Sequence, residues 1–140
     1  MARRTQIVDA LVDHLAANTD ALPSNVIKRY AYLDEVNDFP AITITSASER
    51  RLHRGADARQ GILLLFVRSY VFSDDDSLGT AETFGAQIES AIESFDTTYR
   101  NLEVEEARVL EFRTDEGLFH PYGLVDMQIQ ILYEVSNDIK

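Results

Sequence analysis

The sequence has 140 residues, a length typical of one domain, and its hydrophobic content of 45% is sufficient for a core. It carries 24 acidic against 13 basic side chains, a formal net charge of −11, which disfavours binding nucleic acid or an anionic membrane through the whole surface. The absence of cysteine excludes disulfides and thiolate metal sites, and the N-terminal segment lacks the apolar core of a signal peptide, so we expect a soluble protein made in the cytoplasm.

The first part of the chain predicts one helix and two strands. Residues 3–17 carry a stripe of apolar side chains, which is typical of an amphipathic helix packed by one face. The stripe consists of Ile7, Val8, Leu11 and Leu15. Residues 26–32 have the mixed polarity of an edge strand. Residues 39–46 begin with Phe39-Pro40 and then alternate isoleucine with threonine, which predicts a strand that starts at the proline.

The strongest strand signal lies in residues 61–73. The apolar run 62–67 is too short for a transmembrane helix and is bounded by a glycine, so it predicts a central strand. Because successive side chains of a strand point to opposite faces, an unbroken apolar run predicts that both faces are covered near its start. Beyond this run the pattern alternates, and three residues are expected to share one face: Arg68, Tyr70 and Phe72.

The second half of the chain predicts a helix followed by two strands. Residues 76–96 have apolar side chains at helical spacing after the acidic run 74–76, which suits the positive end of a helix dipole. Residues 102–114 form a strand region whose period slips, which indicates a bulge or two short strands. Residues 125–135 alternate, apart from Leu132, and predict a strand with one buried and one polar face.

Together these elements predict a single α+β domain over residues 1–140. We expect a mixed, mainly antiparallel sheet of four to five strands, with two amphipathic helices packed on one face. A long polar loop is expected at residues 47–60.

The polar residues outside that loop favour structural roles. The histidines lack metal-ligand spacing; they are His14, His53 and His120. The acidic run 74–76 lacks the pattern of a calcium loop and suits helix capping. The glutamates of residues 103–106 have no neighbouring nucleophile or apolar pocket that would shift a pKa. Without a phosphate loop or a serine elbow, the sequence predicts no catalytic residue, no cofactor and no metal, and we expect a protein that is not an enzyme.

Residues 47–60 are a basic segment of an acidic chain. They keep no apolar period and predict a long loop, a kind of segment that commonly binds or covers a partner. Its candidate contact residues are Arg50, Arg51, His53, Arg54 and Arg59. Guanidinium groups favour phosphate or carboxylate partners. Three interpretations stay open: a solvated flexible loop, a loop that lines a passage for DNA, and a loop that docks on an acidic neighbouring subunit.

The order of these elements resembles that of the tail terminator proteins of long-tailed bacteriophages. The resemblance rests on the N-terminal helix, the strand from Phe39 to Ile44, the polar loop, the apolar strand, the acid-capped helix and the closing strand ending Ile131-Leu132-Tyr133. It implies a mixed α+β structural protein of the virion tail, without catalysis. It further implies a homo-hexameric ring at the head-proximal end of the tail, which caps the tail tube and stops its polymerisation.

On this resemblance the partners are other copies of the chain, the tail tube protein, a head-completion or connector protein, and DNA in passing contact within the lumen. The 47–60 loop would face the tube or the lumen. The alternative is a small oligomeric ligand-binding or regulatory α+β module. An apolar pocket with converging polar groups would favour that alternative, or an enzyme with a carboxylate site at residues 103–106, whereas a ring would favour the terminator.

Overall fold

The computed structural model describes residues 3–28, 36, 38–53 and 59–135. The helices are α1 (Arg3–Asn18), α2 (Ser77–Glu93) and the short α3 (Phe95–Thr98), and single turns of 3-10 helix cover Pro23–Asn25 and Arg100–Leu102. The strands are β1 (Val26–Ile27), β2 (Ala41–His53), β3 (Arg59–Phe72), β4 (Val104–Thr114) and β5 (Tyr122–Val135). No helix in these ranges is long and apolar enough to cross a bilayer.

The strands form one five-stranded sheet in the order β1-β2-β3-β5-β4. β1 is parallel to β2, and the other neighbours are antiparallel. β3 lies at the centre, as predicted, and pairs with β5 along its whole length. β1 confirms the predicted edge strand but is only two residues long. The prediction continued into residues 29–35, which lie outside the described residues. The mixed, mainly antiparallel α+β fold is confirmed.

One face of the sheet holds the core. The odd-numbered residues of β3 from 61 to 71, and of β5 from 123 to 135, are all buried, as the two-residue period of strands requires. The two predicted amphipathic helices, α1 and α2, pack against this face. Their buried apolar residues are Ile7, Leu11, Leu15, Ala81, Phe84, Ile88, Ala91 and Ile92.

The opposite face, which we call the open face, carries the even-numbered residues of β3 and is not covered by any described helix. The prediction that both faces of β3 are covered near its start is therefore wrong. Ile62 and Leu64 are half-buried, and Phe66 is 47% exposed. On the same face, Gln60 and Tyr70 at the two ends of β3 are buried, although no described helix packs there. The predicted shared face of Arg68, Tyr70 and Phe72 is confirmed, and Arg68 Nη2 donates to Asp126 of β5 at 3.0 Å.

α2 begins with a side-chain cap and lies directly on β5. Asp76 is the N-cap residue, and its Oδ1 accepts a hydrogen bond from the backbone N–H of Gly79 at 2.9 Å, which confirms the capping interpretation of the acidic run. At Gly123 of β5, an added Cβ would lie 2.5 Å from the carbonyl oxygen of Ser77. The helix predicted for 76–96 ends at Glu93 and is followed by the separate short α3.

β4 contains the irregularity that its period indicated. Its register against β5 shifts between Val104 and Glu106 and again between Val109 and Glu111. Each shift is a bulge that changes which residues face the core, so the predicted bulge is confirmed and the segment is one strand rather than two.

Candidate functional site

The arginine-rich segment is an extended β-hairpin. β2 continues to His53 and β3 begins at Arg59, and these two residues form the last described pair of the ladder. The interpretation of 47–60 as a loop is therefore wrong for 47–53 and 59–60, while 54–58 lie outside the described residues. The polar sequence misled the prediction because backbone hydrogen bonds hold these strands together where the helices do not cover them, so no apolar alternation is required.

A bulge in β2 determines the direction of the hairpin side chains. The register against β3 shifts between Ser46 and Ser48. Because an extra residue reverses the alternation of faces, the even-numbered residues after the bulge lie on the open face. Arg50 is therefore opposite Ile62 on the open face, whereas Arg51 is opposite Gly61 on the core face.

The structure brings three of the predicted contact residues together at this end of the sheet. Arg50, Arg51 and Arg59 are all exposed. Arg50 lies on the open face with Leu52, which is 40% exposed, whereas Arg51 and Arg59 lie on the core face. We call these four residues the arginine hairpin. His53 is the last residue of β2, and Arg54 lies outside the described residues.

Arg51 is already paired within its own chain. Its Nε donates to Oε1 of Glu49 at 2.8 Å, and Arg4 Nη1 of α1 lies 3.5 Å from Oε2 of the same carboxylate. The hydroxyl of Tyr133 is also hydrogen-bonded to Glu49, whose side chain is only 10% exposed. Glu49 thus joins the hairpin to α1 and β5. Sequence reasoning did not identify Glu49 or Tyr133 as members of this cluster.

Gly61 provides the space that Tyr133 occupies. The two residues are partners in the β3–β5 ladder, and a Cβ on Gly61 would lie 2.5 Å from the ring carbons Cε1 and Cζ of Tyr133. The ring therefore covers the glycine backbone, a contact that a side chain at this position would prevent. The sequence contained one signal for it, a glycine at the start of a strand, which commonly marks a close approach.

Burial and the hydrogen bond to Glu49 raise the pKa of Tyr133 from the usual 10.0 to about 12. Because the folded state holds this proton more tightly than the unfolded chain, the associated stability is complete below about pH 10 and is lost as the pH rises to about 12. We expect the free energy of unfolding, measured by urea titration, to fall more steeply across this range in the wild type than in Tyr133→Phe.

Comparing the wild type with Tyr133→Phe also cancels the effect of Tyr99. Burial and repulsion from Asp13 raise the pKa of Tyr99, but this group is present in both proteins and its effect cancels. At neutral pH, Tyr133→Phe should cost about 1 kcal/mol for the lost hydrogen bond. Equal slopes for the two proteins above pH 10 would contradict the shifted pKa.

The other polar candidates have partners of their own. His14 is 4% exposed between α1 and α2, where its Nε2 lies 2.7 Å from the carbonyl oxygen of Ala91. His120 Nδ1 lies 2.8 Å from Ser77 Oγ. The glutamates of residues 103–106 have separate partners: Arg3 for Glu103, Gln60 for Glu105 and Arg108 for Glu106. Within the described residues, no group of three or more His, Asp or Glu side chains is arranged to hold a metal ion.

A cleft of about 550 Å³ lies at the opposite end of the sheet from the arginine hairpin, where β3 ends. Its lining mixes apolar and polar side chains and includes Phe39, Phe72 and Phe84. Two carboxylates lie at its border, and both serve the local structure. Asp20 Oδ2 accepts from Gln87 at 2.9 Å, and Asp76 caps α2.

An open sheet face and an exposed hairpin rich in arginine are features of a protein that acts through contacts with other macromolecules. A family model described as Bacteriophage Tail Tube Terminator Protein matches residues 1–139. The chain therefore belongs to the bacteriophage tail tube terminator family and is a structural protein of the phage tail. The predicted resemblance is confirmed.

Two individual similarities agree with this assignment. The tail tube terminator protein p142 of Escherichia phage T5 is 24% identical over 157 residues, which cover 96% of this chain and 95% of that protein. A chain in the structure of the virion of a native gene transfer agent (GTA) particle matches with a TM-score of 0.56 and 10% identity, over 91% of this chain and 93% of that chain. At this identity the second likeness concerns the fold alone.

Proposed function

We propose that this protein forms a homo-hexameric ring that caps the tail tube, stops its polymerisation and offers a docking surface to head-completion or connector proteins. The ring lies at the head-proximal end of the tail, lets DNA pass through its lumen, and performs no catalysis. The family match across residues 1–139 carries the proposal.

The arginine hairpin is the surface we assign to protein contact. Arg50 and Arg59 are exposed and form no ion pair with another described residue, so carboxylates of a partner would be new partners for them. The strands hold the backbone of this surface in place, which reduces the entropy lost on binding. The predicted contact residues also include His53 and Arg54, which follow Leu52 in the sequence.

Arg50→Glu/Arg59→Glu is expected to abolish tube capping while the chain remains folded. Purified tail tube protein is polymerised with and without the chain, and tube lengths are measured by electron microscopy. The wild type should give short tubes with a ring at one end, and the variant should give long, uncapped tubes. Arg51 is left unchanged because a glutamate there would face Glu49 across their present ion pair.

The matched control is Arg100→Glu, which changes charge in the same direction at an exposed residue of the 3-10 turn and should still cap tubes. Tubes of equal length with and without the wild-type chain would count against the capping function. If the hairpin variant caps tubes like the wild type, the arginine hairpin is not part of the contact that capping requires. Native mass spectrometry tests the hexamer, and a different number of copies on the tube end would refute it.

A small ligand-binding module is the second candidate, and the cleft of about 550 Å³ is the observation in its favour, since binding pockets commonly have this size. Its border carboxylates, however, are engaged within the chain. A module of this kind would leave tube length unchanged, so the same experiment separates the two functions.

A further inference from the structure

The charges of this molecule are separated along the direction of its strands. A group of exposed or half-buried carboxylates lies where β3 ends and where the β4–β5 connection turns. We call it the carboxylate end: Asp74, Asp75, Asp76, Asp115 and Glu116. None of them forms an ion pair with another described residue. The acidic charge of this end is therefore not neutralised by a described basic side chain of the same copy.

The arginine hairpin lies at the opposite end of the same strands. β3 begins at the hairpin with Arg59 and ends beside the carboxylate end with Phe72. Its 14 residues span about 43 Å at the usual rise of a strand. The two surfaces are complementary in charge, yet this distance prevents them from meeting within one copy.

The carboxylate end also exposes apolar side chains on a well-anchored turn. Leu118 is 79% exposed and Phe119 is 51% exposed. Hydrogen bonds hold the turn on both sides: Gly117 N to Asp115 Oδ1 at 3.1 Å, Ser77 Oγ with His120 Nδ1 at 2.8 Å, and Ser73 N to Pro121 O at 2.8 Å. Large apolar groups held outward in this way are typical of a contact surface, and their fixed backbone limits the entropy lost on binding.

Aromatic rings complete this surface. Phe39, Phe72 and Tyr122 form a cluster with ring centroids 5.3 to 6.3 Å apart, and Phe72 is 45% exposed. Two of these rings, those of Phe39 and Phe72, also line the cleft of about 550 Å³. Guanidinium groups bind carboxylates and stack on aromatic rings, so this combination suits a partner that presents arginines beside an aliphatic side chain.

We propose that the carboxylate end of one copy binds the arginine hairpin of the next copy, so that subunits associate head to tail. The occupant is a second copy because the chain itself supplies the matching surface at the tip of the hairpin, where Arg50 and Leu52 are exposed on the open face and Arg59 is exposed on the core face. A contact between two different surfaces of identical chains is heterologous and closes into a ring when successive rotations complete a circle. The inference rests on the ring proposed above and names both sides of its subunit contact.

Two charge-reversed variants test the contact. Arg50→Glu/Arg59→Glu makes both surfaces acidic, and Asp74→Arg/Asp75→Arg/Glu116→Arg, which leaves only Asp76 and Asp115 of the five carboxylates, makes both basic. Each variant alone should self-associate on the order of a hundredfold more weakly than the wild type, because like charges then meet at every contact. In an equal mixture the two variants can alternate, and every contact again joins opposite charges. We expect the mixture to recover association, measured by sedimentation velocity at low salt.

The control is Glu93→Arg/Arg100→Glu, which exchanges charges at two exposed residues outside both surfaces and should associate like the wild type. Circular dichroism establishes that each variant is folded. The proposal is overturned if either variant associates like the wild type, if the mixture fails to recover, or if the wild type is monomeric both free and on tube ends.

The same samples separate this inference from the proposed function. If the wild type caps tubes but the mixture does not recover association, the subunit contact is wrong and the capping function stands. If the mixture recovers but the wild type leaves tube length unchanged, the contact stands and the capping function is wrong. A hairpin variant that loses tube binding while its self-association is unaffected would assign the hairpin to the tube and overturn the inference.

Discussion

Leu65→Ala is expected to lower the free energy of unfolding by about 2–5 kcal/mol, the usual cost of removing a large buried side chain. Phe66→Ala, one residue further along β3, should cost only about 1 kcal/mol, since roughly half of that side chain is already in water. Leu65 is fully buried on the core face, whereas Phe66 is 47% exposed on the open face. The two neighbours thus compare the two faces of one strand at the same position in the sheet.

Urea titration followed by circular dichroism measures both variants, at a concentration at which the chain is monomeric, because association would add its own stabilisation. Equal and large losses would show that the open face is covered in the monomer. A Phe66→Ala loss that appears only when the chain is associated would place a neighbouring subunit on that face.

Gly123→Val is expected to destabilise the fold by about 3 kcal/mol, at the upper end of the usual cost of overpacking a core. The added Cβ would lie 2.5 Å from the carbonyl oxygen of Ser77 and 2.9 Å from Ala81 Cβ. A backbone carbonyl cannot rotate away as a flexible side chain can, so the first turn of α2 would have to move off β5. This movement would also disturb the bond between Ser77 and His120 that anchors the 115–121 turn.

Leu124→Val is the matched control for Gly123→Val. Leu124 is adjacent in β5, half-buried, and on the open face, so this small change should cost less than about 1 kcal/mol. Thermal or urea unfolding measures both variants. A Gly123→Val protein within about 1 kcal/mol of the wild type would mean that α2 does not rest on this glycine.

The separation of acidic and basic surfaces allows copies of an acidic chain to associate specifically. With a net charge of −11, copies repel one another at most orientations. A contact between the carboxylate end and the arginine hairpin is attractive in one orientation and so selects head-to-tail pairing. Because both surfaces are exposed to solvent, salt screens the attraction, and association should weaken as the salt concentration rises.

The sequence correctly predicted those helices and strands whose buried side chains recur with a regular period. α1 was predicted from its apolar stripe, β5 from its alternation, and the start of α2 from the acidic run that contains its cap. The sequence predicted where the arginine-rich segment lies in the chain, but not that it forms two paired strands. Apart from Leu52, the residues of the arginine hairpin are polar on both faces, and its strands are specified by backbone pairing, which leaves no periodic signal in side-chain hydrophobicity.

By itself, then, the sequence determined the α+β class, the central position of β3, the family resemblance and the location of the arginines. Only the tertiary structure decided which way those arginines point, because the bulge between Ser46 and Ser48 reverses the alternation of faces. It also decided that the described helices cover only one face of β3, because this depends on where the helices pack. The carboxylate end was visible only in the fold, because it combines residues 74–76 with residues 115–116, which are far apart in sequence and lie at the same end of the sheet.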